Sequence, residues 1–297
     1  MKRFKIVLPI FIFLIVSNSF GQNSKNKNKS PQQSYISHSP TKHHKVALEV
    51  LKASKTWISN FNAKNIKACL QGYDQKAVMN VTPYGIKRGK EEISNFWKPF
   101  IKSGATNLIY TNVSIEIANE TTAFLSANWS MNVGRGIIFQ EKWEKIKGQW
   151  LLTYDNFQIL EQFKTPQENT PPPITSHNIL EKVITASINW IEGFNTGKKD
   201  VCGNGYSNNA TMNAVPFASL SEKKNIKIFW EKLITDGATN LTYHNPTFSV
   251  KTNNSVILSS HWSMNIGEGK IYQEKWENIN NEWLLTYDEF QVIKQYQ

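Results

Sequence analysis

Apolar positions along the chain follow two periods in turn. From Val46 to Phe61 they recur at helical spacing, with Val50 and Leu51, Trp57 and Ile58, and Phe61 on one stripe, which predicts an amphipathic helix. Asn62-Ala63-Lys64-Asn65 interrupts that stripe, and Asn65 is placed to cap a short second helix carrying Ile66, Cys69, Leu70 and Tyr73. Ala77 to Thr82 alternates as a strand, and Pro83-Tyr84-Gly85 turns the chain. A third helix is predicted from Lys90 to Ile101, with Ile93, Phe96, Trp97 and Phe100 on one side and Pro99 near its end. Four long alternating segments follow, near 106–117, 122–133, 137–147 and 149–160. The turns between them are short, so they predict an antiparallel meander.

The whole pattern then repeats. Residues 57–160 align with 190–293 at a constant offset of 133 without a gap, and about 46 of the 104 positions are identical. All ten tryptophans fall into five matched pairs. A period this long is no solenoid unit; each copy is large enough to bury its own core. The expected organisation is a leader over 1–21, a polar tail over 22–45, a first domain over 46–160, a Pro-rich linker over 161–178 and a second domain over 179–297. Helices first and a sheet afterwards is an α+β plan. Near the end of each copy both faces of the sheet carry bulky residues: Trp150, Leu152 and Tyr154 alternate with Leu151, Thr153 and Phe157. One face is expected to pack on the helices and the other on a second sheet, most simply that of the other copy, as a pseudo-dimer within one chain.

Charge changes the picture at the front of the chain. Residues 1–45 hold eight Lys/Arg and no Asp/Glu, leaving 26 against 23 in the remainder, a net of +3. Nucleic-acid binders concentrate charge on the fold, so nucleic acid is not an expected partner. Lys2, Arg3 and Lys5 precede an apolar run over Ile6 to Val16 and the small residues around Ser19 and Gly21, which reads as a secretory signal. Export to a periplasm or medium is therefore expected, with no membrane insertion. Residues 22–45, including His38, His43 and His44, read as a solvated, disordered spacer. The two cysteines, Cys69 and Cys202, stand at matching positions in apolar patterns and read as small core residues.

A Trp/Phe-rich first helix, the Pro83-Tyr84-Gly85 turn, Gly89-Lys90 with Ile93 and Phe96-Trp97, and a closing hairpin of Trp143, Gly148 and Trp150 resemble the nuclear transport factor 2-like superfamily, which includes ketosteroid isomerases and polyketide-cyclase-like proteins. The second copy departs from the pattern where Ser221-Glu222 replaces Arg88-Gly89 and Asn281 replaces Gly148. The resemblance implies two tandem cone-shaped half-barrels, each with three N-terminal helices packed on a curved antiparallel sheet and a pocket between the layers. Fold alone leaves function open.

The isomerase branch uses an aspartate before the Pro-aromatic-Gly turn and a tyrosine on the first helix. Thr82 and Val215, and Trp57 and Trp190, stand there instead, so that mechanism is unsupported. Glu141, Glu274 and His261 are the candidate general bases, and His261 is placed to pair with Glu274 or Asp288. Polar residues that recur in both copies are Asn80/Asn213, Glu141/Glu274, Tyr154/Tyr287 and Asp155/Asp288. Candidate ligand-binding residues are Trp57, Asn80, Trp97, Trp129 and Tyr154, with Trp190, Asn213, Trp230, Trp262 and Tyr287 in the second copy. No metal-ligand spacing, phosphate loop or dinucleotide fingerprint occurs, so no metal or cofactor is expected. The expected activity is non-catalytic: binding a small hydrophobic or amphipathic molecule, or a protein interaction. The alternative is a cofactor-independent isomerase, cyclase or lyase.

Overall fold

A computed structural model describes residues 39–167 and 172–296. The leader, most of the polar tail and the centre of the linker lie outside the described residues, as does His38. The first half holds α1 (Lys42–Asn62), α2 (Ile66–Gln71), β1 (Tyr73–Thr82), β2 (Gly85–Arg88), α3 (Gly89–Lys102), β3 (Ile109–Asn119), β4 (Thr122–Met131), β5 (Gly134–Ile146) and β6 (Gln149–Gln162). The second half repeats the order with α4 (Thr175–Asn195), α5 (Lys199–Asn204), β7 (Tyr206–Val215), β8 (Ala218–Ser221), α6 (Lys223–Thr235), β9 (Thr242–Thr252), β10 (Ser255–Met264), β11 (Gly267–Ile279) and β12 (Glu282–Gln295).

Local chemistry accounts for the element ends. Lys64, at φ 57°, ends the run of α1, and the Asn65 side chain accepts from the Ala68 amide at 3.2 Å to cap α2. At the start of α3, Glu91 and Glu92 sit in the first turn, and Glu92 accepts from the Arg88 amide at 2.7 Å. Gly89 there adopts φ 75°; in the second half Glu222 holds the same left-handed conformation at φ 72°.

The architecture is α+β, with an antiparallel-rich sheet. The strands join in one sheet in the order β2-β1-β6-β5-β4-β3-β9-β10-β11-β12-β7-β8. Two features correct the sequence expectation. The sheet is not wholly antiparallel, because β1 runs parallel to β6 and β7 parallel to β12. Nor do the halves pack face to face. They meet edge to edge, where β3 pairs antiparallel with β9 and Ile115 lies opposite Phe248. Those two residues are themselves related by the offset of 133, so the seam has the self-complementary character of a two-fold interface. Joining β3 to β9 removes two exposed sheet edges at once.

Helices α1 and α4 complete the seam. His44 Nε2 lies 3.0 Å from Ser187 Oγ, and His177 Nε2 lies 3.0 Å from Ser54 Oγ, a reciprocal pair under the same offset. His44 is fully buried against Phe248 and Tyr243, with ring centroids 5.3 and 5.7 Å away. The tail therefore contributes to the fold from Lys42 onward, and His44 is a seam residue rather than part of a solvated spacer. Lys55 bridges Glu181 at 2.7 Å on one side of the seam; Leu48 and Ile188 occupy the matching places on the other. Cys69 and Cys202 are buried free thiols, each pushed up to about 12 by burial. No described helix is long and apolar enough to cross a membrane.

Candidate functional site

Each half buries a pair of carboxylic acids between its sheet and its helices. In the first half Glu141 of β5 and Asp155 of β6 stand opposite each other in the strand register, 2 % and 5 % exposed. Their hydrogen bonds are supplied from within. Tyr110 donates to Glu141 Oε1 at 2.8 Å and the Trp143 indole to Oε2 at 2.9 Å. Tyr73 donates to Asp155 Oδ2 at 2.6 Å, and Trp97 donates to the Tyr73 oxygen at 3.2 Å. The second half reproduces the network. Tyr243 and Trp276 donate to Glu274 at 2.6 and 2.9 Å, Tyr206 to Asp288 at 2.6 Å, and Trp230 to Tyr206 at 3.1 Å.

Burial raises the pKa of all four carboxyls above the ordinary carboxylate range, and the neighbouring acid raises Glu141 and Glu274 further. Two acids this close cannot both ionise cheaply, so each pair retains a proton near neutral pH. Tyr73, Tyr110, Tyr206 and Tyr243 are held well above the usual phenol value, first by burial and then by the adjacent acids.

Above Asp155 the space between the layers is almost full. Trp97 stacks on Phe157 at 5.8 Å, Trp57 meets Trp97 edge-on at 5.5 Å, and Trp129 meets Phe157 edge-on at 6.3 Å. The cavity left among Trp57, Trp97, Tyr110, Trp129, Asp155 and Phe157 measures about 20 Å³. Trp190, Trp230, Tyr243, Trp262, Asp288 and Phe290 leave about 20 Å³ in the second half. Such a space holds about one water molecule. Trp129 reaches this position because β5 has Gly136 beneath it: a Cβ there would lie 1.9 Å from the Gln158 carbonyl and 2.6 Å from the indole ring. The buried indole N–H groups of Trp57, Trp129 and Trp262 have no acceptor among the described residues, whereas Trp190 donates to the Cys202 carbonyl at 3.1 Å.

Of the sequence-predicted ligand residues, Trp57, Trp97 and Trp129 come together at the first cavity, and Trp190, Trp230 and Trp262 at the second. Asn80, Tyr154, Asn213 and Tyr287 do not join them. Asn80 donates to Asn156 at 3.1 Å and Asn213 to Tyr287 at 3.2 Å, on the face away from the helices. A bulge decides this: the register slips from Lys142↔Tyr154 to Trp143↔Leu152, so Thr153 is the extra residue. Leu152, Asp155 and Phe157 then face inward, and Tyr154 turns outward. Asp155, Tyr73 and Tyr110, with Asp288, Tyr206 and Tyr243, are the site residues that strict alternation misses. Their recurrence in both copies was the available signal. Glu141 and Glu274 lie in the network, while His261 is exposed, with the buried Ser260 and Trp262 on either side of it. His261 meets neither Glu274 nor Asp288 in any hydrogen bond among the described residues. Among the described residues no group of three His, Cys, Asp or Glu is placed to hold a metal ion.

No protein-family model and no curated protein matches the chain. Solved structures are similar to it. A protein of unknown function with a cystatin-like fold from Nostoc punctiforme is 16% identical, covers 38% of this chain and 89% of its own, and has a TM-score of 0.34. An NTF-2-like protein of unknown function from Shewanella oneidensis is 19% identical, covers 37% and 96%, and has a TM-score of 0.34. A ketosteroid isomerase-like protein from Erwinia carotovora is 13% identical, covers 39% and 97%, and has a TM-score of 0.35.

Proposed function

We propose that this chain is an exported, non-catalytic binding protein made of two tandem half-barrel domains, which recognises its partner from outside rather than in an internal chamber. One observation supports this above the rest: both interiors are filled, leaving about 20 Å³ each. Pockets for small-molecule ligands run to hundreds of Å³. The buried acids have their hydrogen bonds met by Tyr and Trp of the same half, as expected of a structural polar network. Export rests on the basic and then apolar segment at residues 2–16.

A second reading, a cofactor-independent isomerase, cyclase or lyase, is favoured by the raised pKa of the acid pairs. Geometry weighs against it. A general base must come within about 3 Å of the proton it removes, and both Glu141 oxygens are occupied by Tyr110 and Trp143. An acid protonated at neutral pH is also no base there.

Native mass spectrometry of the protein purified from its own compartment tests the proposal. The expected spectrum is that of the processed chain with no small molecule held in either interior. A molecule retained in wild type but lost when Trp57 and Trp190 are replaced by charged residues would place a ligand inside and overturn it.

A further inference from the structure

Outside the filled interiors, the first half carries a groove that is built differently in the second half. It lies between α2 and α3 and measures about 530 Å³. Ile66 and Leu70 of α2 form an apolar floor, and Lys67, Lys90, Lys98 and Lys102 surround it. Lys90 to Lys102 spans about 18 Å along α3, at about 1.5 Å per residue. None of the four lysines makes an ion pair among the described residues.

The same place in the second half is plugged and loses most of its positive charge. Asp200 replaces Lys67 and Glu231 replaces Lys98. Lys227, in the place of the buried Ser94, pairs with Asp200 at 2.6 Å and Glu231 at 3.7 Å. Its stem lies across α5 so closely that a Cβ on Gly203, the counterpart of Leu70, would come within 2.6 Å of it. Lys199 and Thr235 stand in place of Ile66 and Lys102, so between two halves with matching interiors this surface falls from four positive charges to a net of one and loses its apolar floor.

We infer that the α2–α3 groove of the first half is a binding site for a small, multiply charged anionic amphiphile: an apolar body resting on Ile66 and Leu70, with two or more sulfate, carboxylate or phosphate groups reaching the lysines. The volume suits a drug-sized molecule. Charge complementarity selects anions, and the concave apolar floor selects a compact apolar body over a bare inorganic ion. The inference rests on the reading of the chain as an external binder.

Titration of the full chain with bis-ANS, a binaphthyl disulfonate, tests it. One molecule is expected to bind per chain, more weakly as salt rises. Lys67→Asp with Lys98→Glu, which installs the residues of the second half at exposed positions, is expected to lower that affinity at least about tenfold with unchanged thermal stability. Leu70→Ala is expected to weaken it as well. Binding that the double variant leaves unchanged overturns the groove without touching the filled-interior reading. So does binding of phosphatidylserine vesicles, but not of free bis-ANS, that the double variant abolishes; the lysines would then serve a membrane surface.

Discussion

The first and second halves agree inside and disagree outside. The tyrosine and tryptophan donors around their buried acids match residue for residue, with hydrogen bonds equal to within about 0.2 Å. Their surfaces do not match. In the first half Glu49 accepts from Trp150 at 2.8 Å and Lys145 at 2.7 Å; in the second, Lys182 and Asn278 stand in place of Glu49 and Lys145, and the Trp283 indole has no acceptor among the described residues. The contrast has a physical cause. An acid pair withdrawn from water tolerates no lost donor, because the uncompensated group bears its full desolvation cost. Exposed ion pairs contribute little and drift freely.

The sharpest way to break the interior match is at the two glycines under the tryptophans. Gly136→Ala and Gly269→Ala each force a Cβ to 1.9 Å from a strand carbonyl. Each is expected to cost more than about 3 kcal/mol, in equal measure, read as the loss of the native denaturant midpoint. A difference between them of more than about 1 kcal/mol would mean that the interiors are not equivalent.

Stability against pH comes next. Burial lowers His44 and His177 from 6.5 to about 3, so the unfolded chain binds more protons between those values. The stability that these residues contribute is present above pH 6.5 and is lost as pH falls toward 3. The acid pairs act in the opposite sense. Their folded pKa values are raised, so their contribution is complete below the ordinary carboxylate range and is lost as pH rises beyond neutrality. Four raised acids outnumber two lowered imidazoles, so melting temperature is expected to fall on both sides of an acidic maximum near the ordinary carboxylate range. Glu141→Gln with Glu274→Gln is expected to flatten the alkaline limb alone. His44→Phe with His177→Phe is expected to flatten the acid limb.

Removing one phenol per half is a smaller perturbation. Tyr73→Phe and Tyr206→Phe each strip a donor from a buried aspartate and are expected to cost about 1–3 kcal/mol by chemical denaturation, alike in both halves. The smallest effect runs the other way. Glu222→Gly restores the residue type that the first half uses at the same left-handed position and is expected to stabilise by about 1 kcal/mol. Gly89→Glu is expected to destabilise by a similar amount.

Much of this was legible in the residues. Helical spacing located α1 and α3, alternation with short turns located β3 to β6, and the offset of 133 carried each assignment to the second half. Three things were not legible. Alternation placed Tyr154 with Leu152, because nothing local marks Thr153 as the bulge residue; the inward turn of Asp155 is set by pairing with β5. His44 sits among Lys, Ser and His and looks like tail, since its partners Ser187 and Phe248 are distant in sequence. Bulky residues on both strand faces were expected to signal sheet-on-sheet packing. The seam instead uses the β3 and β9 edges, whose backbone groups pair whatever their side chains.

Saturation-transfer NMR with indole, a neutral planar probe the size of a ligand for an aromatic cone, tests the filled interiors most directly. Wild type is expected to show no transfer that depends on the cavity residues, while Trp129→Ala and Trp262→Ala, each opening a space the shape of the probe, bind it. Saturable binding of indole to wild type that is lost when Trp57 and Trp190 are replaced by charged residues would contradict the filled cone and return the interior to the status of a ligand site.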